Sequence, residues 1–391
     1  MKKPVVLDIF CGAGGMSEGF IQAGFNVSFA SDINKTAELT YVNRHKQLGY
    51  PVKFACMDIR EFSQKDFLKK FIGNTKIDVV CGGPPCQGFS LAGKRSKDDP
   101  RNLLVKHYIQ VISIVRPRYF VMENVEGILS FELDNFEGLN KDIYKNELVI
   151  DILKKEFDNI GYKIKYKVLT ASDYGVPQQR RRVVFLGFKK DEKKIPEFPQ
   201  RNMEKITVKE SIGDLEFLND NEEEKKYKIK EFSTYQIESK KGRTPGADGK
   251  TIESKILTNH KASKHTELTK ERFALLKQGE TLKELFNRLS KEDKEKYATR
   301  KNICRKIKEN DLSPTVVTLP DDLVHYSKNR IMTVRELARL QSFDDSFEFL
   351  GKRTTGGKER KKELPQYTQV GNAVPPLLAK AVAEEIMKVL K

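Results

Sequence analysis

The sequence predicts a doubly wound, mostly parallel α/β sheet with a second, smaller unit. Three observations carry that reading. Short apolar runs alternate with helical patterns through the first half of the chain. Glycine-rich or acidic residues collect where those runs end. After about residue 190 the chain turns Lys- and Glu-rich and loses its apolar alternation. With 391 residues, 38% of them hydrophobic, it is long enough for one large core and a further domain.

The elements follow in order. Residues 5–10 form a β-branched apolar run, a buried parallel strand. Residues 16–23 are helical in pattern and follow glycines, and 27–30 read as a strand ending at Ser31 and Asp32. Residues 35–44 are helical. Residues 77–81 form a strand that stops at Gly82-Gly83-Pro84-Pro85. A helix over 103–115 ends before Pro117, and a strand over 119–122 ends at Glu123-Asn124. Residues 147–157 read as a helix and 183–188 as a late strand. Residues 190–310, with loop signals such as GRTPGADGK at 242–250, form a separate domain or a partly flexible insertion. The final segment, 376–390, is an amphipathic helix expected to pack back on the sheet.

In a sheet of this kind ligands sit at the carboxyl ends of the strands. The first such end is Asp8-Ile9-Phe10-Cys11-Gly12-Ala13-Gly14-Gly15. Glycines there let a ligand approach the backbone, and the next helix offers free N–H groups. Ser17 stands where a dinucleotide fingerprint would have its third glycine, which favours a nucleoside-type ligand over a nicotinamide cofactor. Asp32, eighteen residues after Gly14, is placed to accept from ribose hydroxyls, and Asp58, read as the end of a third strand, from an adenine amino group. Each taken alone is also an ordinary polar strand end.

The sharpest feature is Cys86 in GGPPCQGFS. A cysteine on a Gly/Pro-rigid loop after a buried strand is exposed and fixed, which suits a nucleophile. Cys81, inside the strand, reads as packing. Glu123 would lie beside the Cys86 loop if the fourth and fifth strands are neighbours, where it could share a proton with a ring nitrogen. Downstream, QQRRR places Arg180, Arg181 and Arg182 just before an apolar strand. Alternation would send Arg180 and Arg182 to one face, a pair suited to phosphate and base-carbonyl recognition.

The net charge of +17 favours a polyanionic partner, nucleic acid first among them. A Lys-rich solvated surface is the alternative source of that charge. Cys11, Cys56, Cys81, Cys86 and Cys304 form no CxxC pair, which argues for a reducing compartment and against disulfides or a zinc cluster. No metal is called for. His260 and His265 read as surface or DNA-facing residues. The chain shows no signal-peptide pattern and no apolar stretch of membrane-spanning length, so a cytoplasmic protein without a membrane partner is expected.

These motifs, in this order, resemble the C5-cytosine DNA methyltransferase family: DIFCGAGGMSEGF its cofactor turn, GGPPCQGFS its nucleophile loop, ENV its glutamate motif, QQRRR its arginine motif. TVRELARLQSF at 333–343 and QVGNAVPP at 369–376 resemble its last two motifs. Asp32 is a mild variant, since the family often has Glu there. The resemblance implies the adenosylmethionine-dependent methyltransferase fold. It implies residues 1–195 and 363–391 as catalytic and cofactor-binding domain, with 196–362 as target-recognition domain and hinge. It also implies S-adenosyl-L-methionine as methyl donor, bound by Phe10, Gly12, Gly14, Gly15, Asp32, Ile33, Asp58, Ile59, Pro84, Leu104, Asn372 and Val374. Cys86, Glu123, Arg180 and Arg182 would be catalytic. Cys86 would add to carbon 6 of a flipped-out cytosine, Glu123 would hold N3, Arg182 the base O2, and Arg180 the loop or a phosphate. The partner would be double-stranded DNA, read by polar and basic residues such as those of 242–250 and 258–265. The protein would act as a monomer in a prokaryotic restriction-modification setting, with a paired endonuclease. Three rivals remain at this stage. An RNA cytosine methyltransferase of the same fold would usually differ in the proline-cysteine and arginine motifs. A non-catalytic DNA-binding paralogue would lack Cys86 or Glu123, and a nicotinamide oxidoreductase would have no use for Cys86.

Overall fold

The computed structural model describes residues 3–85, 104–202, 204–229, 233–299, 301, 303–355 and 363–391. These divide into two compact units, one of residues 1–170, 181–201 and 378–391, the other of 171–180 and 202–377. The division differs from the expected one in three places, the first being that residues 196–201 fall in the first unit. Residues 171–180, between two strands of the sheet, and 363–377, which carry most of the last motif, both fall in the second unit.

The first unit is built on a seven-stranded sheet: β1 (Val5–Ile9), β2 (Asn26–Asp32), β3 (Lys53–Cys56), β4 (Val79–Gly82), β5 (Tyr119–Asn124), β10 (Tyr162–Thr170) and β11 (Arg181–Lys189), in the order β10-β11-β5-β4-β1-β2-β3. β3, β2, β1, β4 and β5 run parallel, while β11 pairs antiparallel with both β5 and β10. β1 and β4 are buried along their whole length, as parallel strands covered on both faces require. Alternation along β1 sends Val5, Leu7 and Ile9 into the main core. That core is shared with α3 (Ile59–Phe62), α4 (Lys65–Ile72), α5 (Leu104–Val115) and α6 (Val149–Asn159). Asp8 points the other way, toward α1 (Gly15–Gln22) and α2 (Lys35–Gln47), where Ser17 and Tyr41 meet it. Between β5 and α6 lie two small antiparallel pairs, β6 (Glu132–Leu133) with β9 (Glu147–Leu148) and β7 (Phe136–Glu137) with β8 (Ile143–Tyr144). Buried Glu156 of α6 ties them down, accepting from the Tyr144 hydroxyl and the Leu139 N–H.

Among the described residues the second unit has little sheet, the parallel pair β12 (Arg305–Lys306) and β13 (Leu323–Val324) besides isolated bridges. Its helices are short: α7 (Val208–Ile212), α8 (Thr234–Lys241), α9 (Glu267–Leu275), α10 (Leu282–Arg288), α11 (Lys291–Lys296), α12 (Val334–Leu340) and α13 (Gln366–Asn372). Helices of one or two turns need their ends satisfied. Thr207/Glu210, Ser233/Gln236, Thr281/Glu284 and Thr333/Glu336 each form a reciprocal capping box. A core of its own joins Phe273, Leu276, Leu282, Leu285, Cys304, Val324 and Ile331. The 190–310 region is thus neither separate by itself nor merely an insertion; from residue 202 it forms one unit with the segment through residue 377. α14 (Pro376–Leu390) returns to the first unit from residue 378 with Leu378, Val382 and Ile386 buried, and Met387 lies beside Gly24.

Around α12 the buried groups are ionic. Arg330 makes a bidentate pair with Glu336 at 2.9 and 2.7 Å, and Arg339 another with Asp345 at 2.8 and 2.6 Å while also meeting Asp214. Burial pushes Glu336 and Asp345 up, yet the guanidiniums beside them hold both well below the usual carboxylate range. His260 is not a surface residue. It is buried, with Nδ1 3.0 Å from the Thr333 hydroxyl, because Asn259 is locked to both the N–H and the C=O of Phe349. His265 is half-buried and accepts from the Ile331 N–H.

Burial lowers His45 and His260 to about 4 and His325 to about 3. An unfolded chain therefore takes up these protons first as the pH falls below about 6.5. Stability contributed by the neutral rings is present above that pH and lost on the way to about 4. Asp8, raised to about 7 by burial, acts in the opposite sense, as do Asp32 and Asp214, but the imidazoles that burial lowers, with His107 and His265 added, outnumber these acids. The melting temperature should thus fall steadily from pH 6.5 to 4 at fixed ionic strength, and His260→Gln should flatten the slope. A parent profile level across this window would contradict the account.

Candidate active site

The carboxyl ends of the parallel strands, with the start of antiparallel β11, bring the polar residues of the first unit to one edge of the sheet. After β1 the chain turns through Phe10 (φ 55°), Gly12 (φ 53°) and Gly14 (φ 98°). The space where a side chain on Gly12 would begin is open, whereas a Cβ on Gly14 would stand 2.9 Å from the Tyr41 ring. So Gly12 leaves room for a ligand and Gly14 leaves room for the protein. Gly15 opens α1 and is buried. At the end of β2, Asp32 accepts from the Gly12 N–H and the Asn34 N–H, each at 2.9 Å, so one carboxylate fixes both the glycine turn and the entry to α2. Burial raises its pKa while those N–H groups oppose the rise. Ile33, the next residue, is 67% exposed.

Asp58 lies two residues past β3 rather than at its end, because β3 stops at Cys56 and Asp58 caps α3. Its carboxylate is held by Arg60 at 2.9 and 2.7 Å, which lowers its pKa. Ile59 is buried. Leu104 begins α5 and is half-buried.

β4 and β5 are hydrogen-bonded neighbours, with Gly82 opposite Met122. The loop leaving β4 therefore passes beside Glu123 and Asn124. A Cβ on Gly83 would lie 3.2 Å from Glu123 Oε2, and the Asn124 amide donates to the Pro84 carbonyl at 3.1 Å. Cys86, two residues further, lies outside the described residues. Glu123 forms an ion pair with Arg182, Nε to Oε1, at 2.9 Å, with both side chains largely shielded (12% and 15% exposed). The contact is close without being an aligned hydrogen bond, and among the described residues buried Oε1 accepts no hydrogen bond.

Arg180 does not share a strand face with Arg182. The antiparallel ladder ends at the Thr170–Arg181 pair, so Arg180 precedes the strand and belongs to the second unit. There it is 3% exposed and donates to the carbonyls of Val316 (3.0 Å) and Gly371 (3.1 Å). Alternation, applied one residue too early, had placed it beside Arg182. In the same unit Asn372 ends α13 and is exposed, and Val374 is half-buried. A Cβ on Gly371 would meet the backbone of Val317 at 2.5 Å. Within 242–250, residues 247–250 are exposed at a turn closed by the Gly246 N–H to Lys250 carbonyl bond.

Sequence reasoning missed Asn124 as a brace for the β4 loop, and Asp8, Ser17 and Tyr41 as the support of the glycine turn. A carboxylate in mid-strand is the one signal that could have pointed to the latter. Burial pushes the thiols of Cys11 and Cys81 well up, Cys304 up to about 12, and Cys56 upward. All four are therefore poor thiolate sources at neutral pH.

A family model described as "C-5 cytosine-specific DNA methylase" matches residues 5–388. Over 97% of its length the chain is 36% identical to the type II methyltransferase M.DdeI of Desulfomicrobium norvegicum, covering 88% of that protein. It is 35% identical to the type II methyltransferase M1.HphI of Haemophilus parahaemolyticus, across 98% of this chain and 86% of the relative. Among solved structures, an E. coli prophage protein assigned as a DNA modification methyltransferase superposes with a TM-score of 0.74 at 26% identity, over 99% of both chains. With its doubly wound sheet and a family match spanning nearly every residue, the chain belongs to the C-5 cytosine-specific DNA methylase family and is a DNA (cytosine-5-)-methyltransferase.

Proposed function

We propose that this enzyme methylates carbon 5 of a cytosine flipped out of duplex DNA, using S-adenosyl-L-methionine and a transient covalent bond from Cys86. The observation that carries the reading is the Glu123–Arg182 pair beside the loop leaving β4, with a buried carboxylate oxygen that accepts no aligned hydrogen bond among the described residues. Carbon 5 of cytosine is too weak a nucleophile to attack a methyl group unaided. Addition of the Cys86 thiolate to carbon 6 forms a C–S bond and drives an electron pair toward N3 and carbon 5. Glu123 holds N3 and balances that charge with a proton. Arg182 keeps the Glu123 carboxylate in place and meets the base O2. Carbon 5 would then take the methyl group as the donor's methyl–sulfur bond breaks and its sulfur leaves as a neutral thioether; loss of the carbon 5 proton to water would return an electron pair to the ring and expel Cys86 as thiolate. Extracting the base from the stack costs on the order of a few kcal/mol, offset by pocket contacts.

The residues at the sheet edge fit a nucleoside-bearing methyl donor. Gly12 leaves open space at a positive-φ turn, Asp32 stands beside it, and exposed Ile33 offers an apolar face for a base. When bound, the donor supplies an electrophilic methyl group on sulfonium sulfur. Phe10, Gly14, Gly15, Asp58, Ile59, Pro84 and Leu104 complete the proposed contacts, and the family resemblance adds Asn372 and Val374. Arg180, committed to two carbonyls of its own unit, acts as support rather than on a phosphate. Residues 202–377 are proposed to hold the target-recognition function. There the exposed turn at 247–250 suits DNA contacts better than 258–260, whose side chains hold the unit together. The names of the relatives, type II methyltransferases, support a restriction-modification role; a partner endonuclease, a monomeric state and a cytoplasmic location are part of the proposal. Among the described residues no helix is long and apolar enough to cross a membrane.

Cys86→Ala should abolish methyl transfer while leaving donor affinity nearly unchanged. Duplex DNA carrying 5-fluorocytosine at the target should trap the parent protein in a complex that survives denaturing gel electrophoresis. Substantial methylation by the alanine variant would remove Cys86 from the mechanism.

Glu123→Gln preserves shape but not proton sharing. General acid–base assistance is worth ~10²–10⁴-fold, so single-turnover methylation should slow by that order with DNA affinity little altered. A rate within threefold of the parent (about 0.7 kcal/mol) would exclude the proposed role.

A further inference from the structure

Behind the glycine turn lies a buried hydrogen-bonded chain that no step above uses. Asp8, on strand β1 and wholly buried, accepts from the Ser17 hydroxyl at 2.6 Å through Oδ2. With its proton committed there, Ser17 accepts from the Tyr41 hydroxyl at 2.5 Å. The Tyr41 ring in turn fills the space where a side chain on Gly14 would be, at 2.9–3.0 Å, and stacks on His45 at 4.4 Å. Asp8 Oδ1 is buried and has no hydrogen-bond partner among the described residues. The guanidinium nearest in the packing of α1 on α2, that of Arg44, is paired with Glu18.

From this geometry we infer that Asp8, as an uncharged carboxylic acid, is a positioning residue for the cofactor turn, acting through Ser17 and Tyr41 on Gly14. The inference rests on the reading of that turn as the methyl-donor site. A carboxylate sealed from water with no cation beside it is strongly disfavoured. Among the described residues the titratable and hydrogen-bonding groups that face Asp8 are Ser17 from α1, Tyr41 from α2, Cys81 from β4, Cys11 from the turn and Asp32 at the end of β2, and none of these is basic. Burial therefore raises the carboxyl to about 7, against the pull of Ser17. Loss of its proton would leave in the interior a charge that no cation meets, and relieving that desolvation cost by admitting water beside Asp8 would displace the Asp8–Ser17–Tyr41 chain and the ring that sets Gly14. Only the protonated fraction would then hold the turn ready, and apparent affinity falls in proportion to that fraction.

The test is calorimetric titration of S-adenosyl-L-methionine into the full-length protein and its variants from pH 5.5 to 8.5. The parent should lose affinity as the pH rises through about 7, by about thirtyfold at pH 8.5. Asp8→Asn, which keeps an acceptor for Ser17 without a titrating group, should bind like the parent at pH 5.5 and show only the ligand's own pH dependence. Ser17→Ala cuts the link between Asp8 and Tyr41, so it should bind more weakly than the parent at pH 5.5 and show only the ligand's own pH dependence. Parallel profiles for parent and Asp8→Asn, or parent affinity that rises with pH, overturn the inference. Should Asp8→Asn not fold, a parent-like pH profile in Ser17→Ala overturns it instead. Absence of donor binding by the parent at every pH would instead overturn the reading of the site, and this inference with it.

Discussion

Glu123 and Arg182 sit on adjacent antiparallel strands, and their 2.9 Å contact ties the end of β5 to the start of β11 at the sheet edge reached by the β4 loop. The proposed chemistry depends on this pair. A carboxylate shielded from water needs a cation or N–H donors beside it to offset its lost hydration. Here the cation is a guanidinium whose approach leaves one carboxylate oxygen without an aligned donor. The sheet supplies the placement. Parallel pairing of β4 with β5 brings Gly83 and Pro84 alongside Glu123 and Asn124, so the loop that leads to Cys86 starts from a fixed point.

Support for the site is distributed by the same principle, that a buried polar group must be matched. Asp32 joins the glycine turn to α2 with two backbone bonds. Asp8 works from the opposite side through neutral groups. In the second unit the solution is ionic: Arg330, Arg335 and Arg339 are fully buried and matched by Glu336, Asp345, Asp214 and backbone carbonyls. Those arginines are therefore internal structure, and the net charge of +17 that favours a polyanion resides on other side chains.

Much of the site was legible because buried parallel strands are short apolar runs that end in conspicuous residues. β1, β2, β4 and β5 were read within one or two residues, and so were Asp32, Glu123 and the glycine turn. What escaped has physical reasons. β10 reads as polar because Lys163, Lys165 and Lys167 alternate along an edge strand, where lysines guard an open ladder. α3 spans one turn and α4 little more than two, too short to display a period. Arg180 was misplaced because alternation cannot say where a ladder begins. His260 looked solvent-facing because a polar stretch does not reveal that Asn259 and Arg335 anchor it from a distance in sequence. The order of the motifs, rather than any one residue, carried the resemblance to the family.

Hydrogen exchange at carbon 5 of the target cytosine tests the central claim most directly, because it reports the chemistry before any methyl group moves. Duplex DNA tritiated at that position, incubated with enzyme and no methyl donor, should release tritium to water only if a nucleophile has added to carbon 6. The account predicts release by the parent, far slower release by Glu123→Gln, and none by Cys86→Ala. Release by Cys86→Ala at the parent rate would contradict it.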